Sequence, residues 1–192
     1  MTTRRAAIAL PLVLLPGLAV AQQSGPTRQQ EARRVELDSL FETLKTAPDE
    51  ASAALIEGRI RVLWIESASP AAVLLLRRGA RNLAARTFEE ALEDFDAALV
   101  LSPDSAEAWH QRAQAYAAMG DARSAARDLQ ETLRLEPRHF PALVTLSTLQ
   151  EQAGDAAGAL RSMQAALELN PRLRGGQERL RELRRKAEGD VT

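Results

Sequence analysis

Residues Ala106–Pro137 read AEAWHQRAQAYAAMGDARSAARDLQETLRLEP, and the chain repeats this pattern on both sides. A step of 34 residues carries Pro137 to Pro103 and Pro171, and Ala125 to Ala91 and Ala159. The same step relates Phe95, Leu129 and Met163, then Leu99, Leu133 and Leu167, then Leu101, Leu135 and Leu169. Gly120 and Gly154 share it for two of the three units. Self-similarity at a fixed period of roughly 20–50 residues marks a repeat architecture. A single unit cannot bury its own apolar face and must stack on a neighbour. Such an array presents an extended, grooved surface for binding rather than a closed pocket for chemistry.

Each unit reads as helix–turn–helix. In its second half Ala91, Phe95, Ala98 and Leu99 recur at helical spacing, as do Ala125, Leu129 and Leu133, and Ala159, Met163, Ala166 and Leu167. The alanines are small where two helices of one hairpin approach closely. Gly120-Asp121 and Gly154-Asp155 end one helix and start the next, because glycine tolerates the left-handed position and aspartate caps an N-terminus. The first unit has Arg86-Thr87 there, which predicts a strained turn. The closing prolines cannot continue a helix.

The unit Ala106–Pro137 resembles a tetratricopeptide repeat, whose pattern sets a tryptophan, a leucine-glycine pair, a tyrosine, an alanine, an aromatic and a closing proline. Trp109, Tyr116, Ala125 and Pro137 match; Leu129 replaces the aromatic, and Arg112-Ala113 replace leucine-glycine. The unit before keeps Gly79, Ala91, Phe95 and Pro103, with Leu75 and Asn82 for the tryptophan and tyrosine. The unit after keeps Leu143, Leu146, Ala159 and Pro171, with Ser147 for the glycine and Gln150 for the tyrosine. The resemblance covers about 100 of the 192 residues. It implies an all-α, TPR-type solenoid with repeats at 72–105, 106–139 and 140–173.

The termini read differently. Arg4-Arg5, the apolar stretch Ala6–Leu18 and Ala19-Val20-Ala21 form a secretory signal peptide over 1–21, in the usual order. The apolar run is shorter than the ~20 residues of a spanning helix and holds Pro11, Pro16 and Gly17. Export to the periplasm by the general or the twin-arginine route is expected, with no stable membrane insertion. Residues 22–27 form a polar tether. Residues 28–66 hold two apolar-striped segments broken at Ala47-Pro48-Asp49, read as a helical hairpin that acts as a degenerate repeat or N-terminal cap. Residues 174–192 carry Leu180 and Leu183 among charges, as a C-terminal capping helix and tail would.

Composition narrows the function. With no cysteine there is no disulfide framework, thiolate ligand or thiol nucleophile, so stability must come from stacking. Removing the leader leaves 23 basic against 26 acidic residues, a balance unlike that of a nucleic-acid binder. The acid-only run Glu89–Glu107 and the basic end from Arg172 permit head-to-tail self-association. No nucleotide loop, G-x-S-x-G or H-E-x-x-H occurs, so neither catalytic residues nor a cofactor are expected. Glu107 and His110 have the i, i+3 spacing of a metal half-site, but the sequence shows no second half-site, and the pair is read as a solvated groove pair. His139 is read as a partly exposed turn residue.

The resemblance also implies where a partner would bind. In the family the first helix of each hairpin lines a concave face. Carried onto this chain, that face holds Arg77 from the first repeat, Glu107, His110, Gln111 and Gln114 from the second, and Thr145 and Thr148 from the third. Of the lysine, arginine and asparagine set with which some relatives grip a chaperone's C-terminal carboxylate, only Arg77 is present. The mixture suits an extended peptide or a helix. The expected role is a periplasmic adaptor for a protein or peptide in envelope assembly or secretion; a cell-wall or polysaccharide-binding accessory protein is the alternative. The other occupant of the groove would be the chain's own N-terminal hairpin or C-terminal helix.

Overall fold

The computed structural model describes residues 27–189, so the leader over 1–21 and most of the tether lie outside the described residues. Among the described residues the elements are all helical: α1 (Arg28–Lys45), α2 (Glu50–Ile65), α3 (Pro70–Ala85), α4 (Phe88–Leu101), α5 (Ala106–Ala118), α6 (Ala122–Leu135), α7 (Phe140–Gln152), α8 (Ala156–Leu169) and α9 (Gly176–Glu188). None of these helices is long and apolar enough to cross a membrane.

The helices start where the local chemistry allows. Asp49, Ser69, Ser105, Asp121 and Asp155 each accept the backbone N–H three residues on, satisfying a donor that a helix start leaves free. At the hairpin turns Gly120 and Gly154 sit at φ 83° and 81°, while Arg86 takes the left-handed conformation at φ 64°. The strain expected at Arg86-Thr87 is therefore present. Thr87 also makes no side-chain capping bond.

Helices α3–α4, α5–α6 and α7–α8 are antiparallel hairpins stacked in series. Ala91, Ala125 and Ala159 are fully buried along their seams. The seams differ in how they fill one volume. A Cβ on Gly79 would lie 2.5 Å from Phe95, so the glycine makes room for that ring. One repeat on, Ala113 shares a core cluster with the smaller Leu129. Two repeats on, the buried Ser147 donates its hydroxyl to the Ala159 carbonyl at 2.7 Å. Volume is thus conserved while identity changes, as close packing requires.

Charges tie the stack on its outer side. Arg112 Nε donates to the buried Asp128 at 2.7 Å, and its Nη1 donates to Asp96 of the preceding repeat at 2.6 Å. Its guanidinium lies 4.7 Å from the Trp109 ring centroid. Arginine at a position where the family has leucine therefore bridges two repeats. At the C-terminal end α9 buries Leu183 against the last hairpin, and Glu151 of α7 holds Arg179 and Lys186. Glu151 is thus spent on the terminal helix.

The N-terminal hairpin departs from expectation. Its helices do not stack on α3–α4 as a degenerate repeat would; α2 packs on α5 and α1 on α8. Leu37, Phe41, Leu44, Ile60, Leu63 and Trp64 form one buried cluster with Phe140 and Ala166. Arg138 reaches Asp38 at 2.6 Å, and Asn170 donates to Glu57 at 2.6 Å. The apolar stripe of α2 is buried against Phe140, Leu143 and Val144 of α7. Burial near 25 cal/mol per Å² of apolar surface favours that contact.

Candidate functional site

The first helices of the three hairpins carry the face on which a partner was expected, and α2 lies against α5 and α7 there. Trp64 stacks on the His139 ring at 4.2 Å between centroids and 17° between planes. Phe140 is tilted against the same indole at 6.0 Å.

Beneath Trp64 lies a buried polar network. His139 is fully buried as the N-cap of α7, not the partly exposed turn residue expected. Its Nδ1 accepts the Ala142 N–H at 3.2 Å, so Nε2 carries the ring proton and donates to Glu107 Oε2 at 3.0 Å. Gln111 Nε2 donates to the other Glu107 oxygen at 2.7 Å. His110 Nε2 lies 3.2 Å from Thr145 Oγ1, whose hydroxyl donates to the Pro141 carbonyl at 3.0 Å, so the imidazole donates there. That leaves His110 Nδ1 as a lone pair without a partner, 3.9 Å from Glu107 Oε2.

The electrostatics follow from burial. Burial, the neighbouring His139 and Arg61 push His110 down to about 3, against the opposing pull of Glu107. It is a neutral ring, not the group titrating near neutrality that a solvated position implies. Burial alone would raise Glu107, but the His139 hydrogen bond, the nearby imidazoles and the Gln111 amide together hold it below the ordinary carboxylate value.

Two chemical readings of this network fail on its hydrogen bonds. Glu107, His110 and His139 set ligand atoms within 4.8 Å of one another, which is near metal-binding spacing. A histidine that ligates a metal uses its unprotonated nitrogen and donates through the other. In His139 the unprotonated Nδ1 is committed to the α7 cap, and Nε2 faces the cluster with its proton. The run Thr145, His110, Glu107 likewise orders hydroxyl, imidazole and carboxylate. Yet the Thr145 hydroxyl is turned to Pro141, and the ring-to-carboxylate distance of 3.9 Å is too long for a hydrogen bond. The cluster joins α5 to α7 as a structural network.

The residues assigned to the groove therefore divide. Glu107, His110 and Gln111 are buried, which corrects the expectation of solvated side chains; α2 and the α5–α7 seam cover them. Gln114 and Thr145 are half-buried, and Thr148 is exposed. Arg77 stands exposed on α3. Two hollows remain, both bordered by Gln114. One, of about 400 Å³, lies between Arg61 of α2, Ala80 and Leu83 of α3, and His110 and Gln111 of α5. The other, of about 270 Å³, lies between Ala117 and Val144, Thr145, Thr148 and Gln152 of α7. The roles of Arg61, Trp64 and His139 escaped the sequence reading because their partners are 32 to 75 positions away and follow no period.

Residues 78–142 match the family described as tetratricopeptide repeat. A TPR repeat-containing protein of Rhizobium etli is 35% identical over 113 residues, which are 59% of this chain and 55% of that one. The match thus spans little more than half of the relative's length. Among solved structures, the Sgt2 TPR domain from Aspergillus fumigatus is 24% identical at a TM-score of 0.60, covering 63% of this chain and 82% of that one. The Yersinia enterocolitica type III secretion translocator chaperone SycD, in complex with a peptide of the translocator YopD, is 18% identical at a TM-score of 0.57. That comparison covers 64% of this chain and 98% of that one. The first TPR of Spaghetti, bound to an HSP90 peptide, is 18% identical at 0.60 over 63% of this chain and 96% of that one. With the 34-residue period and the three stacked hairpins, these matches show that the chain carries tetratricopeptide repeats.

Proposed function

We propose that this protein is an exported scaffold that holds a protein or peptide partner against the inner face of its repeats and serves envelope assembly or secretion in the periplasm. The observation that carries the binding role is the pair of hollows bordering Gln114 on the inner face. They combine apolar walls with amide and hydroxyl groups. Amides and hydroxyls that donate and accept suit the backbone of a peptide, and the apolar walls suit its side chains. Two of the fold's neighbours carry peptides, those of SycD and Spaghetti, and this supports the reading. Arg4-Arg5, the apolar stretch and Ala19-Val20-Ala21 support export. Binding rather than catalysis is the role this reading takes; among the described residues the run Thr145, His110, Glu107 lacks the geometry for chemistry.

The test joins the two halves of the proposal. Protein recovered from the periplasmic fraction is sequenced from its N-terminus, with a start near Gln22 expected. Tagged protein then captures partners from a periplasmic extract, in parallel with the double variant Gln114→Ala, Thr148→Ala. A partner held in the hollows is lost, or weakened by about 5- to 150-fold (about 1–3 kcal/mol), in the variant. Capture unchanged by the variant removes the hollows as the binding site; a retained Met1 removes export.

A further inference from the structure

Unpaired buried polar atoms gather where the N-terminal hairpin meets the repeats. Among the described residues, four buried side-chain polar atoms have no hydrogen-bond partner: Trp64 Nε1, His110 Nδ1, Gln111 Oε1 and Asn170 Oδ1. All four lie in or beside the α2 contact. Trp64 belongs to α2, His110 and Gln111 wall a hollow with Arg61 of α2, and Asn170 is bonded to Glu57 of α2. Two of them, His110 Nδ1 and Gln111 Oε1, also border the α5–α7 seam. An unpaired buried donor or acceptor forfeits the water it would otherwise bind, so each weakens the closed state relative to an open, hydrated one.

The apolar side of the same seam has the form of a helix receptor. Ile56, Ile60, Leu63 and Trp64 fall on one face of α2 at helical spacing and meet Phe140, Leu143 and Val144. The polar ties around them are few: Asp38 with Arg138, Glu57 with Asn170, and Arg172 with the Ala47 carbonyl at 3.3 Å. Only Glu66–Ser69 separates α2 from α3, so a released hairpin stays tethered beside the surface it covered.

We propose that the α1–α2 hairpin is a displaceable occupant of the concave face. The occupant that replaces α2 is an amphipathic helix of a partner, with apolar side chains spaced like Ile56, Ile60, Leu63 and Trp64. This rests on the scaffold reading above and deepens it, since the full face becomes available only when the hairpin leaves. The apparent affinity of such a partner is then its intrinsic affinity reduced by the fraction of molecules that are open.

Two measurements on the full chain test this. Native-state hydrogen exchange should show the amides of α1 and α2 exchanging at least about 10-fold faster than the central amides of α5–α8, through an opening that leaves the repeats folded. A labelled synthetic peptide of residues 50–66 serves as the probe. It should bind the double variant Asp38→Ala, Glu57→Ala at least about 10-fold more tightly than the unaltered chain, because the variant frees its own hairpin. Trp64→Ala should act in the same direction; if that variant fails to fold, the double variant carries the test. Exchange of α1 and α2 only together with the repeats overturns the proposal and points to ordered water pairing the four atoms. So does equal peptide affinity for the variant and the unaltered chain. Loss of partner capture in the Gln114 and Thr148 variant without hairpin opening leaves the scaffold reading standing alone. Opening with no outside partner does the reverse.

Discussion

Trp64 and His139 lie face to face, 4.2 Å between ring centroids, although 75 positions separate them. One is on a hairpin outside the repeat pattern; the other caps a repeat helix and donates to Glu107. The contact therefore couples three things at once: hairpin docking, the start of α7 and the charge buried beneath.

Trp64→Ala should loosen the hairpin more than the repeats. Truncating a buried aromatic costs about 3–5 kcal/mol in a core that cannot collapse around the gap. Limited proteolysis should then cut within 46–49 or 66–69 first and leave a protected fragment spanning the three hairpins. Cleavage spread evenly over the chain would show that hairpin and repeats unfold as one unit.

Acidification should destabilise the protein, and the sign follows from His110. Its folded value of about 3 lies below its ordinary 6.5, so the fold binds fewer protons than the unfolded chain between those values. The stability this contributes is fully present above pH 6.5 and is lost as pH falls toward 3. A single such group gives a slope of at most about 1.4 kcal/mol per pH unit. Glu107, also held below its ordinary value, adds loss in the same direction at the acidic end, below about 4.5. The charged and titratable groups facing His110 are Glu107, His139 and Arg61. Urea unfolding from pH 7.5 to 4 measures the slope, and His110→Gln should flatten it between 6.5 and 4.5.

Gly79→Ala should cost about 1–3 kcal/mol, because the new Cβ would lie 2.5 Å from Phe95. Adding Phe95→Leu reproduces the pairing of Ala113 with Leu129 in the next repeat and should recover part of that loss. Thermal melts of the two single variants and the double variant form the cycle; additive effects would mean that the two sites do not share one volume.

Arg86→Gly should stabilise the first hairpin. A non-glycine residue in the left-handed region carries a cost of roughly 1–2 kcal/mol, and the equivalent turns hold Gly120 and Gly154. Some of the gain is offset by losing the guanidinium over Phe88, 5.7 Å from its centroid. A net rise of about 1 kcal/mol in denaturant unfolding is expected, and no rise would mean that the turn is relaxed as it stands.

The three hairpins were legible because their determinants are local and repeated. Ala91, Ala125 and Ala159 mark the close seams, and Gly120 and Gly154 mark the turns. Even the irregular turn at Arg86 could be read, since conformational cost depends on one residue and its neighbours. The inner face was legible only as a set of positions. That Glu107, His110, Gln111, Gln114, Thr145 and Thr148 face one side follows from helix geometry; which of them meet water does not.

The sequence by itself determined the period, the helices and their pairing within each repeat, because residues three, four or 34 apart set those contacts. Tertiary structure alone decided that α2 packs on the inner face at α5 and α7, that His139 joins Glu107, and that Gln114 and Thr148 border what stays open. Those contacts link segments 32 to 113 residues apart without a repeating code. They depend on how the hairpins stack and on where the apolar stripe of α2 is buried.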